Sequence, residues 1–446
     1  MHESVYRGFL ILKCLIQAQN TQSEDCLYLQ IFSIFMSSKQ EISFDNSEYA
    51  FAYKKDKQLK NAHFLFSAMG KPWLVNLGLK LTPLAIKWHL PFTMPVIRST
   101  IFQQFVGGET LEETSAVAKK LAEYNVQVIL DYGVEGGDDG EHGFDHSTEE
   151  FIRVIDYAAT QANIPFMSIK VTGFSRLALL EKIDGLMNEV EGTLMKRYLT
   201  TIEKLPDNEK EEWHRVRLRL LRICEVAAAK KIGVLVDAEE TWIQDPVDAL
   251  TILMMDSFNK QRVVVYNTIQ LYRHDRFKFL KDSYEAAAER NFVLGAKLVR
   301  GAYMEKERLR ASEKNYASPI QPNKESSDSD YNAAVKFSIE HLDIIAVIIA
   351  SHNEQSNLTA TELLQQKNIP LNHPHVHFSQ LYGMSDNITF NLAKAGCSVS
   401  KYLPFGPIKD VIPYLMRRAQ ENSSVGGQTG RELGLIRKEL ARRKTA

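Results

Sequence analysis

Near the C-terminus the sequence runs Tyr402-Leu-Pro-Phe-Gly406-Pro407, then Tyr414, the pair Arg417-Arg418, and Glu421-Asn422. The apolar run Ser398 to Leu403 reads as a strand. Gly406-Pro407 then opens a helix, because the fixed φ of proline suits a first helical turn. Arg417 and Arg418 lie about 100° apart on that helix. Glu421, four residues after Arg417, is placed to hold its guanidinium. Two fixed guanidiniums near a strand end receive a carboxylate or phosphate in bidentate fashion. The same residues also fit a solvated helix face with one intrahelical ion pair.

Further polar residues close other apolar runs. Lys170 ends Phe166-Met-Ser-Ile-Lys, and Asp237 ends Gly233-Val-Leu-Val-Asp. Gln270 follows Val263 to Ile269. Lys297 and Arg300 flank Leu298-Val299, with Gly301 next. His352-Asn353 follows Ile344 to Ser351, and Gln380 follows His377-Phe-Ser. Converging charges at strand ends must pair with one another or with a ligand. Lys170, Lys297, Arg300, Arg417 and Arg418 outnumber Asp237 and Glu421, so the site should draw an anionic cofactor and a carboxylate substrate. There is no GxGxxG and no Walker loop, and the glycine-rich stretch Gly133–Gly140 carries acids that repel phosphate. His375 and His377 share a strand face as metal-binding pairs do, and with His352 and Asp237 they leave a metal-dependent hydrolase open. They start their apolar run, however, and barrel chemistry belongs at the other end, which favours structural histidines.

The elements that must position these groups form an alternating series. The apolar runs are Val126–Tyr132, Pro165–Val171, Ile232–Asp237, Arg262–Thr268, Phe292–Val299, Ile344–Ala350, His375–Ser379 and Ser398–Leu403. They are nearly continuous in apolar character, as strands buried on both faces are. Helical stretches lie between them: Asp245–Asn259, Arg276–Asn291, Tyr331–Leu342 and Glu354–Lys367. Eight such units imply an α/β fold, a (β/α)8 barrel. A helical insertion is expected at Leu177–Lys231 and an irregular stretch at Ser312–Asp330. Residues 43–112 read as a helical arm, 113–422 as the barrel, 423–446 as a C-terminal tail or helix, and 1–42 as a poorly ordered or atypical extension.

The chain has 446 residues, 44% hydrophobic and 24% charged, with a formal net charge of −1. That balance gives no reason to expect a nucleic-acid partner. The four cysteines form no CxxC, which fits reduced thiols and a cytoplasmic protein. Pro72 to Ile97 is the most apolar region, but lysines and prolines interrupt it, so it reads as an interfacial or packing element and not as a membrane span.

Taken together, Leu298-Val-Arg-Gly-Ala-Tyr-Met-Glu-Lys-Glu-Arg308, Ser351-His-Asn, Val236-Asp-Ala-Glu-Glu240 and Tyr402-Leu-Pro-Phe-Gly-Pro through Arg417-Arg-Ala-Gln-Glu-Asn422 resemble the proline dehydrogenase family, from about residue 43 onward. The resemblance implies a distorted (β/α)8 TIM-type barrel that binds FAD at its mouth and oxidises L-proline to Δ1-pyrroline-5-carboxylate. It assigns Arg417, Arg418 and Lys170 to the proline carboxylate. Tyr402 and Leu381 line the ring pocket, Asp237 orders its neighbours, and Glu421 anchors Arg417. It sets Gln270, Lys297, Arg300, Gly301, His352 and Asn353 at the cofactor. Lys297 stands where many bacterial members carry arginine, and Met304 where bifunctional members carry tryptophan. No aldehyde-dehydrogenase domain follows, so the chain reads as monofunctional. The resemblance further implies a quinone acceptor and peripheral contact with the inner face of the cytoplasmic membrane, through Pro72–Ile97 or the basic tail Arg437–Lys444. A colourless zinc hydrolase and a non-catalytic barrel are the alternatives.

Overall fold

The computed structural model describes residues 42–88, 90–133, 140–424 and 426–445. Residues 1–41, the bulk of the expected N-terminal extension, and 134–139, within the glycine-rich stretch Gly133–Gly140, lie outside them. From Ser43 to Ala446 the chain forms one compact unit.

Eight parallel strands close a barrel in sequence order: β1 Gln127–Tyr132, β2 Phe166–Ile169, β3 Gly233–Val236, β4 Val265–Gln270, β5 Leu294–Val299, β6 Ile345–Ala350, β7 Val376–Leu381 and β8 Val399–Phe405. β3 and β4 are buried at every position, which is why their sequences are apolar without alternation. Inside the barrel Ile129, Leu235, Tyr266, Ala346 and Ile348 pack together, with Phe166 and Tyr402 against them. At Gly295 an added Cβ would come within 2.3 Å of Val265 O, so only glycine lets β5 approach β4 this closely.

The helices, in chain order, are α1 Ser47–Phe51, α2 Asp56–Met69, α3 Pro72–Lys87, α4 Thr93–Ile97, α5 Leu111–Ala122, α6 Gly140–Ala159, α7 Leu177–Met187, α8 Leu194–Lys204, α9 Asp207–Lys230, α10 Thr241–Phe258, α11 Arg276–Arg290, α12 Met304–Lys314, α13 Lys324–Glu340, α14 Glu354–Gln366, α15 Asp386–Lys394, α16 Ile408–Ser424 and α17 Gly426–Thr445. The insertion after β2 is helical, as expected, and consists of the three helices α7, α8 and α9. The stretch Ser312–Asp330 is less irregular than expected, because α12 runs to Lys314 and Asn323 caps α13 by accepting from the Ser326 N–H at 2.8 Å. α16 starts at Ile408, one residue later than the Gly406-Pro407 signal placed it, and β8 continues through Pro404 and Phe405 to meet it.

The arm packs on the barrel's outside through a second core that joins Phe51, Leu59, Phe66 and Phe105 to Val411, Leu415 and Ile436 of α16 and α17. Three buried charges tie it to β8. Asp386 of α15 meets Lys401 Nζ at 2.8 Å and Lys54 Nζ at 3.1 Å, and accepts from the Tyr53 hydroxyl at 2.9 Å. Burial pushes the Asp386 carboxyl up, but Lys401 and Lys54 prevail and hold it below the usual carboxylate range.

Candidate active site

Strand alternation turns Tyr402 of β8 and Lys297 of β5 into the barrel mouth, where Asp237 follows β3. Asp237 accepts from the Tyr402 hydroxyl at 2.7 Å through one oxygen and pairs with Lys297 through the other. Lys297 Nζ stands 5.3 Å from the centre of the Tyr402 ring. Ser168 Oγ lies 2.8 Å from the Tyr402 hydroxyl and 3.1 Å from Asp131 Oδ1. Burial, with Asp131 and Asp237 beside it, holds the Tyr402 phenol far above its ordinary range, so it stays a neutral donor.

Lys170 follows β2 directly, and its charge reaches both Asp131 and Glu239. Burial nevertheless wins at both carboxyls. Asp131 is raised, and Glu239 is pushed up to about 7 even though it accepts from Thr172 Oγ1 at 2.8 Å. Gln270, at the end of β4, donates to Glu239 O at 2.6 Å and to the Tyr272 hydroxyl at 2.9 Å. Its side-chain oxygen is buried without a hydrogen-bond partner.

α16 carries the arginine pair. Glu421 pairs with Arg418 at 2.5 Å, three residues away, and both Arg418 and Arg417 act on its carboxyl through their charges. The Arg418 guanidinium lies 5.1 Å from the centre of the Tyr414 ring, and its Nε is buried without a partner. The helix faces the mouth: the Arg418 charge is felt by His352, and that of Asp131 by Tyr414.

Arg300 sits after β5, stacked 3.8 Å over the Tyr331 ring. It pairs with Asp328 and donates to Ser351 Oγ at 2.7 Å and Ser356 Oγ at 3.1 Å. Gly301 follows at φ 92°, a conformation that favours glycine, with open space where a Cβ would project. His352 Nδ1 lies 3.0 Å from Ser385 Oγ. Burial, reinforced by Lys401, Arg418 and Arg300, holds His352 down to about 3, hence neutral. The Asn353 side-chain oxygen caps α14, accepting from the Ser356 N–H at 3.0 Å. Leu381 ends β7 and packs against the core shared by the arm and α16.

The histidine pair belongs to the opposite end of the barrel. His377 is at the start of β7, 2.6 Å from Ser400 Oγ and edge-on to Phe166, and His375 Nδ1 lies 2.6 Å from Leu342 O. Among the described residues no three His, Cys, Asp or Glu form a metal-binding group.

Asp131 and Glu239 were given no role from the sequence, although Asp131 is the last residue but one of the first apolar run and Glu239 stands two residues after Asp237. With Asp328 they offset the cations counted above, so the mouth is less positive than that count implied.

A family model described as proline dehydrogenase matches residues 114–431. The chain is 32% identical over 376 residues to "Proline dehydrogenase 1, mitochondrial" of Dictyostelium discoideum, covering 78% of this chain and 65% of that one. It is 35% identical over 342 residues to "Carbapenem antibiotics biosynthesis protein CarD" of Pectobacterium carotovorum subsp. carotovorum, covering 76% of this chain and 83% of that one. The proline utilization A structure from Bdellovibrio bacteriovorus superposes with a TM-score of 0.63 at 20% identity, over 87% of this chain and 40% of that one, which supports the barrel fold. The chain belongs to the proline dehydrogenase family.

Proposed function

We propose that the chain is a flavin-dependent oxidoreductase that converts L-proline to Δ1-pyrroline-5-carboxylate, the first step of proline catabolism to glutamate. The observation that carries this reading is the Arg417-Arg418 pair on a helix laid over a mouth in which Asp237 fixes both Lys297 and Tyr402. A carboxylate under that helix meets two guanidiniums and Lys170. The Tyr402 ring, locked at its hydroxyl, gives the pyrrolidine a flat apolar wall, and Leu381 closes the side. Held this way, the substrate gives up its orientational freedom before the reaction begins.

The cofactor in this reading is FAD, held by Gln270, Lys297, Arg300, Gly301, His352 and Asn353. The orphaned Gln270 oxygen and the open space at Gly301 fit such a group. Bound FAD supplies the acceptor for the hydride of the proline δ-carbon. A neutral His352 and an Arg300 fixed by Asp328 provide polar contacts that do not reorganise during turnover. The secondary amine must shed its extra proton before the hydride leaves, so activity climbs along a basic limb. In the same reading a quinone takes the electrons, and the protein is cytoplasmic and touches the inner face of the membrane. Among the described residues no helix is long and apolar enough to cross one.

Arg418→Met tests the assignment. Removing a charge-assisted hydrogen bond worth ~1.5–3 kcal/mol raises the proline KM about 10- to 100-fold and leaves the flavin content unchanged. An unchanged KM removes the carboxylate role. A protein whose visible flavin band does not bleach when proline is added without oxygen removes the activity.

A further inference from the structure

Helix α3 is apolar on two opposite sides. Val75, Leu79 and Ile86 face inward onto the core shared with α16 and α17. Trp73, Leu77, Leu81, Leu84 and Trp88 recur at intervals of four and three residues, so they form a second stripe diametrically across the helix. All five are exposed, the two tryptophans by 66% and 67%. A helix that only packs on a core turns its polar side outward. The stripe continues past the helix through exposed Leu90, Phe92 and Val96. Phe92 is held at φ 68° and is 77% exposed, a costly conformation for a bulky apolar side chain directed at water.

The charge carried by the segment itself has one sign. From residue 57 to residue 108 the sequence contains no Asp or Glu, in a chain with 55 of them. It carries Lys57, Lys60, Lys71, Lys80, Lys87 and Arg98, all exposed, and of these Arg98 is paired with Glu109. By helical angle Lys80 and Lys87 border one edge of the stripe. The basic C-terminal tail is occupied differently: Arg442 and Arg443 are bound to Glu439, and Arg443 also to Asp56.

We infer that α3 and the turn after it lie flat in the headgroup layer of an anionic lipid bilayer, with the outer stripe in the acyl boundary and the lysines on the phosphates. This deepens the membrane contact of the functional reading and rests on that reading only in taking a membrane as partner. An apolar stripe with tryptophan at both ends and lysine along its border is the composition of an interfacial helix. A second copy of this chain is the poorer occupant, because a two-fold contact through the stripe sets Lys80 and Lys87 against the same charges of the partner. Surface attraction of this kind grows with the number of basic residues and fades with salt.

Vesicle sedimentation of the flavin-loaded full chain, without proline, tests the inference separately from the dehydrogenase assignment. The two vesicle types are phosphatidylcholine alone and phosphatidylcholine with a quarter of phosphatidylglycerol. The expected result is binding to the anionic vesicles at least about tenfold stronger than to the neutral ones, lost in half-molar salt. Lys80→Glu/Lys87→Glu should reduce the anionic binding about tenfold. Trp73→Gln/Leu77→Gln/Trp88→Gln should abolish it while keeping the flavin spectrum and sedimentation coefficient of the parent, since the substituted side chains face solvent. Failure to bind either vesicle overturns the inference, as does equal binding to both. So does a self-association that the triple variant dissolves in a protein that ignores vesicles. Binding that persists in an enzyme inert towards proline leaves this inference standing and sinks only the dehydrogenase reading.

Discussion

Glu239 decides whether the barrel mouth carries a positive surplus near neutral pH. The cations Lys170, Lys297, Arg300, Arg417 and Arg418 face the acids Asp131, Asp237, Glu239, Asp328 and Glu421. The surplus that attracts a carboxylate therefore depends on how many of those acids are ionised. Burial raises the Glu239 carboxyl from its usual value to about 7, against the pull of Lys170. Below that pH the group is neutral and the mouth is one unit more positive; above it the charge appears and opposes the substrate's own. The proline KM should therefore rise about fivefold between pH 6 and 8, the effect of ~1 kcal/mol at a partly screened distance. Glu239→Gln should hold KM at the low-pH value throughout, leaving the basic limb of kcat in place because that limb belongs to the substrate amine. Steady-state KM–pH profiles of parent and variant decide it. The sign for folding is the same: a carboxyl raised in the native state contributes stability that is complete below its unfolded value near 4.5 and is lost as pH rises through about 7.

At the scale of elements, the strands were legible because each is buried on both faces and so spells an apolar run that no amphipathic helix matches. Their C-terminal ends followed from the barrel geometry, which is how Asp237, Gln270, Lys297 and Tyr402 were found. What joins the elements was not legible. Lys401 looks like a polar residue beside Tyr402, and alternation turns it away from the mouth, but nothing local announces that it meets Asp386 of α15 and, through it, Lys54 of the arm. Likewise the pairing of Arg418 with Glu421, three residues on along α16, was not named from the sequence. Lys401 is fully buried, so Lys401→Met removes one of the two cations that compensate Asp386. It should destabilise the protein by about 3–5 kcal/mol, because a buried carboxylate is left underpaired. Adding Asp386→Asn should recover part of the loss. Urea unfolding midpoints of the single and double variants measure both. A single variant as stable as the parent means that Lys54 and the Tyr53 hydroxyl suffice to hold the charge.

Over the whole molecule, the barrel, the arm and the two C-terminal helices share cores and buried charges from Ser43 onward, so heat should unfold them in one step. A group bound at the mouth touches strands β4, β5 and β6 and lies under α16, which joins the arm's core. Its binding energy therefore adds to the stability of the entire unit and not to a loop. At a thousandfold excess over its dissociation constant, a ligand specific for the native state adds about 4 kcal/mol. A unit of about 400 residues unfolds with an entropy near 0.85 kcal/mol per degree, at ~2.1 cal/mol/K per residue, so stripping FAD should lower Tm by about 5 °C and restoring it should reverse the shift. Arg418→Met should show the same flavin-dependent shift as the parent, since the proposed function gives its guanidinium to the substrate. Gln270→Leu should lose most of that shift, because it replaces the buried oxygen that lacks a protein partner with carbon. Differential scanning calorimetry of stripped and reloaded protein reads all three. A Tm indifferent to FAD would mean that the native state does not bind the cofactor, and a Gln270→Leu shift equal to the parent's would free that residue from any part in holding it.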